Sequence, residues 1–138
     1  MTLGLDHVGI FVDDLDAAIA FYSTVLDQID PAIVTVPELG LRLAFFIRQG
    51  GALIELVSAT GKTALRHGDV VVALEVDDLA GEIARLHVAG IRCHHQKPTE
   101  NLPLERGWIT KDDGHGTIIE LCPRGEVARL AGSAQAAS

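Results

Sequence analysis

The stretch DHVGIFVDDLDAAIAFY (residues 6–22) decides the fold, because its pattern returns as VVVALEVDDLAGEIARL (residues 70–86). The tetrapeptide VDDL begins at Val12 and again at Val76, 64 residues further on. A second pair, GALIELV from Gly51 and GTIIELC from Gly116, repeats at an offset of 65 residues. Two correspondences in the same order and at nearly one spacing predict a duplicated unit of about half the chain.

Each unit has the pattern of one strand, one helix and three further strands. In the first unit, β-rich or alternating segments predict strands, and an apolar stripe after Asp13 and Asp14 predicts a helix. These are strands at 5–12, 32–36, 41–47 and 52–57, with the helix at 15–26. In the second unit Asp78 caps a helix that runs to about His87, and the strands are 70–76, 91–94, 108–111 and 117–122. The order predicts an α+β fold of two paired β-α-β-β-β modules with mostly antiparallel strands.

The 138 residues correspond to one domain. We expect this domain to occupy residues 1–123, with repeats at about 4–58 and 69–123. From Arg124 onward the chain drifts into Ala, Gly and Ser and ends in AGSAQAAS. This composition predicts a flexible tail over 124–138.

Charge and composition narrow the classes of partner. Eleven basic and 19 acidic residues give a net charge of −8, which disfavours nucleic acid and anionic membranes as partners. No apolar run approaches the ~18 residues of a membrane span, and the start lacks the basic region of a signal peptide. Cys93 and Cys122 form no disulfide framework. We therefore expect a cytoplasmic protein that acts on a small molecule.

Three residues form a candidate metal site. Side chains alternate faces along a strand, so His7 lies opposite the β-branched face that packs on the helix. Glu55 and Glu120 stand mid-strand at equivalent places in the two repeats, with apolar neighbours on both sides. A pseudo-two-fold axis brings the two carboxylates together, and like charges there require a counter-charge such as a divalent metal. A surface position remains the alternative for either glutamate, and a structural role in the strand remains the alternative for His7.

The repeat also shows a missing ligand. The 64-residue offset carries His7 onto Val71, where a symmetric site has a second histidine. Glu75 shares the face of Val71 but lies two residues further along, so it is a poor substitute. Other candidates depend on loops to bring them in, and each is more simply a surface or pocket-wall residue: His67, His94, His95 and His115.

The segments quoted above resemble the vicinal oxygen chelate superfamily, which includes glyoxalase I, methylmalonyl-CoA epimerase, extradiol dioxygenases and bleomycin-binding proteins. Within this family the sequence is most similar to methylmalonyl-CoA epimerases, through LDHVGIFVDDLDAAIAFY (residues 5–22), PELGLRLAFF (residues 37–46) and ALIELV (residues 52–57). The resemblance covers residues 4–123. It implies a cupped mixed sheet around one divalent metal, and a homodimer.

The resemblance also implies roles for single residues. The family's four ligand positions fall on His7, Glu55, Val71 and Glu120, so the site lacks its third ligand. This departure disfavours iron-dependent dioxygen chemistry, because the dioxygenases of the family hold their iron with two histidines and one carboxylate. Epimerase-like chemistry needs only a Lewis acid that stabilises an enolate, and Co, Mn, Mg or Zn could still bind to the remaining ligands for this purpose. The epimerase acid/base glutamate falls on Glu38, with Glu120 as ligand or second base; burial of such a carboxylate would raise its pKa towards neutrality. A solvated turn residue is the alternative for Glu38.

The remaining candidate residues concern how a substrate is bound and selected. The segment HHQKPTENLPLER (residues 94–106) is expected to cover the cavity mouth and set specificity. Trp108 either lines the pocket or fills core, and four basic residues either meet a CoA phosphate or are plain surface: Lys62, Arg66, Lys97 and Arg106.

Three hypotheses follow. The first is a methylmalonyl-CoA-epimerase-like isomerase or lyase that removes a proton next to a carbonyl and acts on a small molecule such as an acyl-CoA. The second is a metal-independent enzyme of the same fold that acts on a natural-product intermediate. The third is a non-catalytic protein that binds an antibiotic or another small molecule.

Overall fold

The computed structural model describes residues 3–48, 50–61 and 63–137. The first repeat contains β1 (Gly4–Phe11), α1 (Leu15–Leu26), β2 (Ala32–Val36), β3 (Leu41–Phe46) and β4 (Leu53–Ala59), with a 3₁₀ turn at Pro37–Leu39. The second contains β5 (Val70–Val76), α2 (Leu79–Val88), β6 (His94–Gln96), β7 (Arg106–Ile109) and β8 (Ile118–Pro123), and α3 (Glu126–Ala137) follows. The predicted α+β class with two β-α-β-β-β modules is confirmed.

All eight strands of the described chain form one mixed sheet in the order β2-β3-β4-β1-β5-β8-β7-β6. β1 is parallel to β4 and β5 is parallel to β8, whereas β1 and β5 meet antiparallel at the centre. The registers repeat as well: Gly9 pairs with Glu55, and its repeat-equivalent Ala73 pairs with Glu120. The duplicated sequence therefore builds two equivalent half-sheets, joined through β1 and β5.

α1 and α2 begin at equivalent aspartates of the two repeats. The Asp14 carboxylate accepts a hydrogen bond from the Ala17 backbone N–H at 3.0 Å, and that of Asp78 from the Gly81 N–H at 3.1 Å. Such caps satisfy backbone donors that the first helical turn leaves without a partner. The helices cover one face of the sheet, where Leu15 and Leu79 are buried in separate apolar clusters. The opposite face is left to form a cavity.

The predicted flexible tail is wrong, because most of it forms α3. Val127 and Ala131, four residues apart on one side of α3, are buried with Leu53, Ala73 and Cys122 of the cavity-side face. The sequence AGSAQAAS contains small residues that pack closely on a helix face as readily as they populate a mobile tail. Packing against the sheet decides between these outcomes, since propensity alone stabilises a short helix only marginally.

Two strands of the second repeat are shifted from their predicted positions. The strand predicted at 91–94 begins only at His94, because the Ile91 N–H donates to the Leu86 carbonyl and Gly90 adopts a positive φ of 82°. This arrangement is a Schellman motif, which ends α2. The strand predicted at 108–111 spans Arg106–Ile109, since the carbonyls of Thr110 and Lys111 already accept hydrogen bonds within the following turn. Of the helices in the described residues, none is long and apolar enough to cross a membrane.

Candidate active site

The candidate site lies on the cavity side of the sheet, above two small residues of the central strands. Gly9 is flanked across the sheet by Glu55 and Val71, and Ala73 is flanked by His7 and Glu120. Directly paired residues point to the same face, so these side chains share one face. Because Gly9 and Ala73 have minimal side chains, the longer polar groups beside them converge in the space above. His7, Glu55 and Glu120 are all buried.

His7 is the centre of this cluster. Its Nε2 lies 3.5 Å from Glu55 Oε1 and 3.6 Å from Glu120 Oε2, while its Nδ1 lies 2.7 Å from the Asp6 carboxylate. Burial lowers the pKa of His7, but the hydrogen bond to Asp6 and the carboxylates of Glu120 and Glu55 outweigh this effect and raise the pKa to about 12. The Asp6 contact also fixes the ring, because an ionised carboxylate can only accept and so Nδ1 carries the proton. Nε2 faces both glutamates, and with the pKa raised to about 12 it carries a proton that a metal binding there would have to displace.

Glu120 is held by a second cation. Arg106 Nη1 donates to Glu120 Oε1 at 3.1 Å, and both side chains are buried. Burial raises the pKa of Glu120, but His7 and Arg106 together lower it below its ordinary value. The Arg106 guanidinium lies 5.0 Å from the centre of the Trp108 ring, whose Nε1 donates to Gln96 at 2.7 Å. Glu120 is thus an ionised carboxylate in an enclosed site.

The cluster opens into a cavity of about 340 Å³. Glu55 and Glu120 contribute polar groups to its wall, and most of the remainder is apolar, including Phe11, Leu41, Leu43, Val57, Leu65 and Val71. Gln96, Thr99, Leu102 and Arg106 line it from the segment predicted to cover the cavity. A neighbouring cavity of about 480 Å³ shares Leu65 and Trp108 with it and extends to Lys111. A mostly apolar pocket with a few convergent polar groups is the usual form of a small-molecule site.

Comparison with known proteins identifies the family. Residues 4–118 match the Glyoxalase/Bleomycin resistance protein/Dioxygenase superfamily. The chain belongs to this superfamily. The resemblance predicted for residues 4–123 is confirmed over residues 4–118, and the fold that it implied is the one described above. No curated protein matches the chain.

Solved structures of the superfamily include similar epimerases. The methylmalonyl-CoA epimerase of Mycobacterium tuberculosis is 30% identical, with a TM-score of 0.73 and 91% of each chain covered. A variant of the Streptomyces coelicolor methylmalonyl-CoA epimerase, in complex with 2-nitronate-propionyl-CoA, is 24% identical, with a TM-score of 0.72 over 88% of this chain and 95% of that one. A methylmalonyl-CoA epimerase in complex with methylmalonyl-CoA and NH4+ is 21% identical, with a TM-score of 0.71 over 89% and 95%. The latter two show likeness of fold.

Glu38, the predicted acid/base residue of this superfamily member, is exposed in the 3₁₀ turn before β3. Its carboxylate accepts hydrogen bonds from the backbone N–H of Asn101 at 2.8 Å and from the Asn101 side chain at 3.0 Å. The backbone hydrogen bond from Asn101 is the main cause that lowers the pKa of Glu38 to about 2. The expectation that burial raises this pKa towards neutrality is therefore wrong. Glu38 instead ties the turn to the cavity-covering segment.

The other candidate histidines lie apart from the cluster. His67 accepts a hydrogen bond from the Asp13 backbone at 3.1 Å, and His95 pairs with Glu105 at 3.6 Å; His94 is exposed in β6, and His115 occupies a turn at a φ of 55°. Of the four basic residues, Lys62 lies outside the described residues. Arg106 is the residue that sequence reasoning undervalued, because no periodic signal separates a buried arginine on a short strand from a surface one. The one sequence signal for its location is its spacing of two residues from Trp108 on β7, which places both side chains on the same face of the strand.

His7, Glu55 and Glu120 offer the donor types that divalent metals take, and His7 Nε2 faces both carboxylates. Ligands bound at ~2.0–2.2 Å to one ion lie roughly 3.0–3.5 Å apart, close to the two distances from His7 Nε2. The Asp6–His7 hydrogen bond is also the outer partner that metal-bound histidines normally have. Val71, on the same face, offers no ligand atom. Among the described residues, the group of three potential ligands whose atoms all lie within 4.8 Å of one another is instead Asp6, His7 and Cys122. There burial raises the pKa of the Cys122 thiol, which disfavours a thiolate ligand.

Proposed function

We propose that the chain is an enzyme that removes a proton from a carbon next to a carbonyl, as an epimerase-like isomerase or lyase acting on an acyl thioester. The observation that carries this proposal is that His7 lies within 3.6 Å of both Glu55 and Glu120, and that these two glutamates line a mostly apolar cavity. The similarity to methylmalonyl-CoA epimerases, including the two complexes with CoA thioester compounds described above, supports an acyl-CoA as the substrate class. Methylmalonyl-CoA is the first compound to test.

In this proposal the residues of the cluster have two roles, binding the metal and accepting a proton from the substrate. We assign His7 Nε2 and Glu55 to the metal, with Glu120 as the third ligand or as the proton acceptor. When bound, a divalent ion supplies Lewis-acid stabilisation of negative charge on the carbonyl oxygen. Val71 and the other apolar side chains of the wall lower the polarity around the carboxylates, which strengthens electrostatic interactions there. Of the metals expected, the two carboxylates favour Mg or Mn over softer ions.

Glu120 is the better-supported proton acceptor. Its carboxylate lines the cavity and is kept ionised by His7 and Arg106, so it can accept a proton without first losing one. Glu38 remains a second candidate, but it does not line the cavity, and its use as a base requires release from the hydrogen bonds with Asn101. Parallel Glu38→Gln and Glu120→Gln variants separate the two assignments.

The proposal is tested by exchange of the substrate's α-proton in D2O, followed by proton NMR on methylmalonyl-CoA. We expect exchange by the metal-loaded protein, its loss with a chelator, and its recovery with Co, Mn, Mg or Zn. Glu55→Gln should abolish exchange, whereas Glu75→Gln, a half-buried glutamate paired with Arg124 outside the cavity wall, should not. Absence of exchange by the metal-loaded protein across a panel of acyl-CoA thioesters would overturn the proposal.

A metal-independent reaction, for example on a natural-product intermediate, is the second candidate, and Arg106 favours it. The guanidinium already supplies a fixed positive charge at Glu120, which offsets part of the charge that a metal would neutralise. Exchange that persists in chelator, in protein shown to be free of metal, selects this candidate. Saturable ligand binding without any exchange selects instead the non-catalytic binder that the superfamily also contains.

A homodimer remains our prediction, and the surface of α1 supports it. Phe21 and Val25 are each 60% exposed and lie one turn apart, and Ile29 just beyond α1 is also exposed. Contiguous exposed apolar side chains are typical of a protein interface. Sedimentation velocity should give a dimer that Phe21→Glu converts to a monomer, and a monomeric wild-type protein at micromolar concentration contradicts the prediction.

A further inference from the structure

The described residues that line the cavity offer no free positive charge to a ligand. Their charged side chains are Glu55, Glu120 and Arg106. The guanidinium of Arg106 is bonded to Glu120 at 3.1 Å and its side chain is 8% exposed, so its charge already serves that carboxylate. In the adjoining cavity, Lys111 is likewise paired with Asp69 at 2.8 Å. A ligand carboxylate that entered this space would be buried beside two other carboxylates without a partner, which is costly.

The two halves of the cavity wall differ in polarity. On β3, Leu43 lies two residues before the partner of Glu55, and on β7, Arg106 lies two residues before the partner of Glu120. A leucine therefore takes the place in the first half that the arginine takes in the second. Apart from Glu55, every described residue that the first repeat contributes to the wall is apolar: Phe11, Leu39, Leu41, Leu43 and Val57. This surface is suited to an apolar group, because the removal of apolar area from water is favourable.

We propose that the substrate is an acyl thioester whose acyl group is uncharged and apolar, and that this group lies against Leu41, Leu43 and Val57. The inference rests on the proposed function, because it concerns the substrate of the same site. It separates this chain from the similar epimerase that is in complex with methylmalonyl-CoA, a thioester with a charged acyl group. A charged acyl group needs a cation, and the one on the described wall is held by Glu120.

A pair of ligands of nearly equal shape isolates the effect of charge. 2,3-Dimethylbutanoyl-CoA carries an isopropyl group where methylmalonyl-CoA carries a carboxylate, and the CoA part is the same. The wild-type protein is titrated with each compound by calorimetry at about pH 7, where the carboxyl group is ionised, and in chelator, so that the chain's own residues decide the preference. We expect the isopropyl compound to bind at least about tenfold more tightly, because the juxtaposition of like charges disfavours the carboxylate. Equal affinity, or tighter binding of methylmalonyl-CoA, overturns the inference.

An added cation on the wall should shift the preference. Leu39 lines the cavity and is 40% exposed, so an arginine at this position can keep its charge hydrated outside the core. Leu39→Arg should shift the affinity ratio of the two compounds towards methylmalonyl-CoA by at least about tenfold. Val88→Arg adds the same charge at the end of α2, where the side chain is 91% exposed and does not line the cavity, and should leave the ratio within about twofold. An unchanged ratio in a folded Leu39→Arg variant contradicts the inference.

Exchange of the α-proton separates failure of this inference from failure of the proposed function. The α-proton of methylmalonyl-CoA is the more acidic one, so each rate with the metal-loaded enzyme is divided by the rate without enzyme. We expect this acceleration to be at least about tenfold larger for 2,3-dimethylbutanoyl-CoA. If it is larger for methylmalonyl-CoA, the proposed function stands and the inference fails. If the isopropyl compound binds more tightly but neither thioester exchanges, the apolar specificity stands and the proposed function fails; if neither compound binds, both fail.

Discussion

Arg106→Met is the most informative perturbation of the fold, because it removes one partner of a buried ion pair. The side chains of Arg106 and Glu120 are 8% and 1% exposed, and their closest atoms are 3.1 Å apart. Methionine fills a similar volume, so the loss of charge dominates over the loss of packing. Among the described residues, the variant leaves the enclosed Glu120 with His7 as its remaining cationic neighbour.

Breaking a buried pair by removing one partner costs about 3–5 kcal/mol. We take the lower value, about 3 kcal/mol, because His7 still faces Glu120 at 3.6 Å. Unfolding entropy of ~2.1 cal/mol/K per residue gives roughly 0.3 kcal/mol/K for a chain of this length, so the melting temperature should fall by about 10 °C. Arg92→Met removes an exposed arginine and should cost less than about 1 kcal/mol.

The assay is a double-mutant cycle in urea with Arg106→Met, Glu120→Gln and the double variant, each measured in chelator so that no metal contributes. Glutamine carries no charge to leave behind, so we expect the double variant to be more stable than the sum of the single losses implies. A coupling free energy of about 1–3 kcal/mol is the expected size for a contacting pair. Additive losses, or a loss below about 1 kcal/mol for Arg106→Met, would refute the conclusion that Arg106 holds Glu120 ionised.

Three further predictions concern the same site and its rim. Gly9→Ala puts a methyl carbon 3.1 Å from Glu55 Oε1 and 3.4 Å from Val71 Cβ, so we expect weaker Co2+ binding by absorption spectroscopy; unchanged binding argues against Glu55 as a ligand. Val71→His adds an imidazole on the cavity face and should tighten Co2+ binding by at least about tenfold in calorimetric titration, and no gain argues against Val71 as the vacant ligand position. Glu38 has a pKa lowered from 4.5 to about 2, so its ionised form stabilises the fold above pH 4.5 and this contribution is lost as the pH falls towards 2. The difference in urea midpoint between the wild type and Glu38→Gln should therefore shrink below pH 4.5. A difference that stays constant with pH contradicts the prediction that the hydrogen bonds from Asn101 to ionised Glu38 stabilise the fold.

The asymmetry between the repeats has a functional consequence. Glu55 and Glu120 are equivalent in the two halves, but His7 is matched by Val71, so one half of the site carries the only imidazole of the cluster. Arg106 adds a positive charge in the other half, next to Glu120. We expect a site with valine in place of a second histidine ligand to bind a metal more weakly, which the Val71→His variant tests.

The sequence by itself was sufficient for the architecture and for three residues of the cluster. Strand and helix periodicity, the caps at Asp14 and Asp78 and the repeat spacing are local or self-similar signals. They predict the modules and the face to which each side chain points. The positions of His7, Glu55 and Glu120 follow because a duplicated strand carries its side chains to equivalent places in both halves.

Only the tertiary structure decided which distant groups meet. Arg106 was indistinguishable from a surface arginine until β7 paired with β8 and set it against Glu120. The pKa of Glu38 depends on Asn101, 63 residues away, and the order of α3 depends on a sheet face that no local pattern describes. Local propensity records the energy of neighbours along the chain, whereas burial, pKa and helix docking depend on neighbours in space, which the folded chain alone brings together.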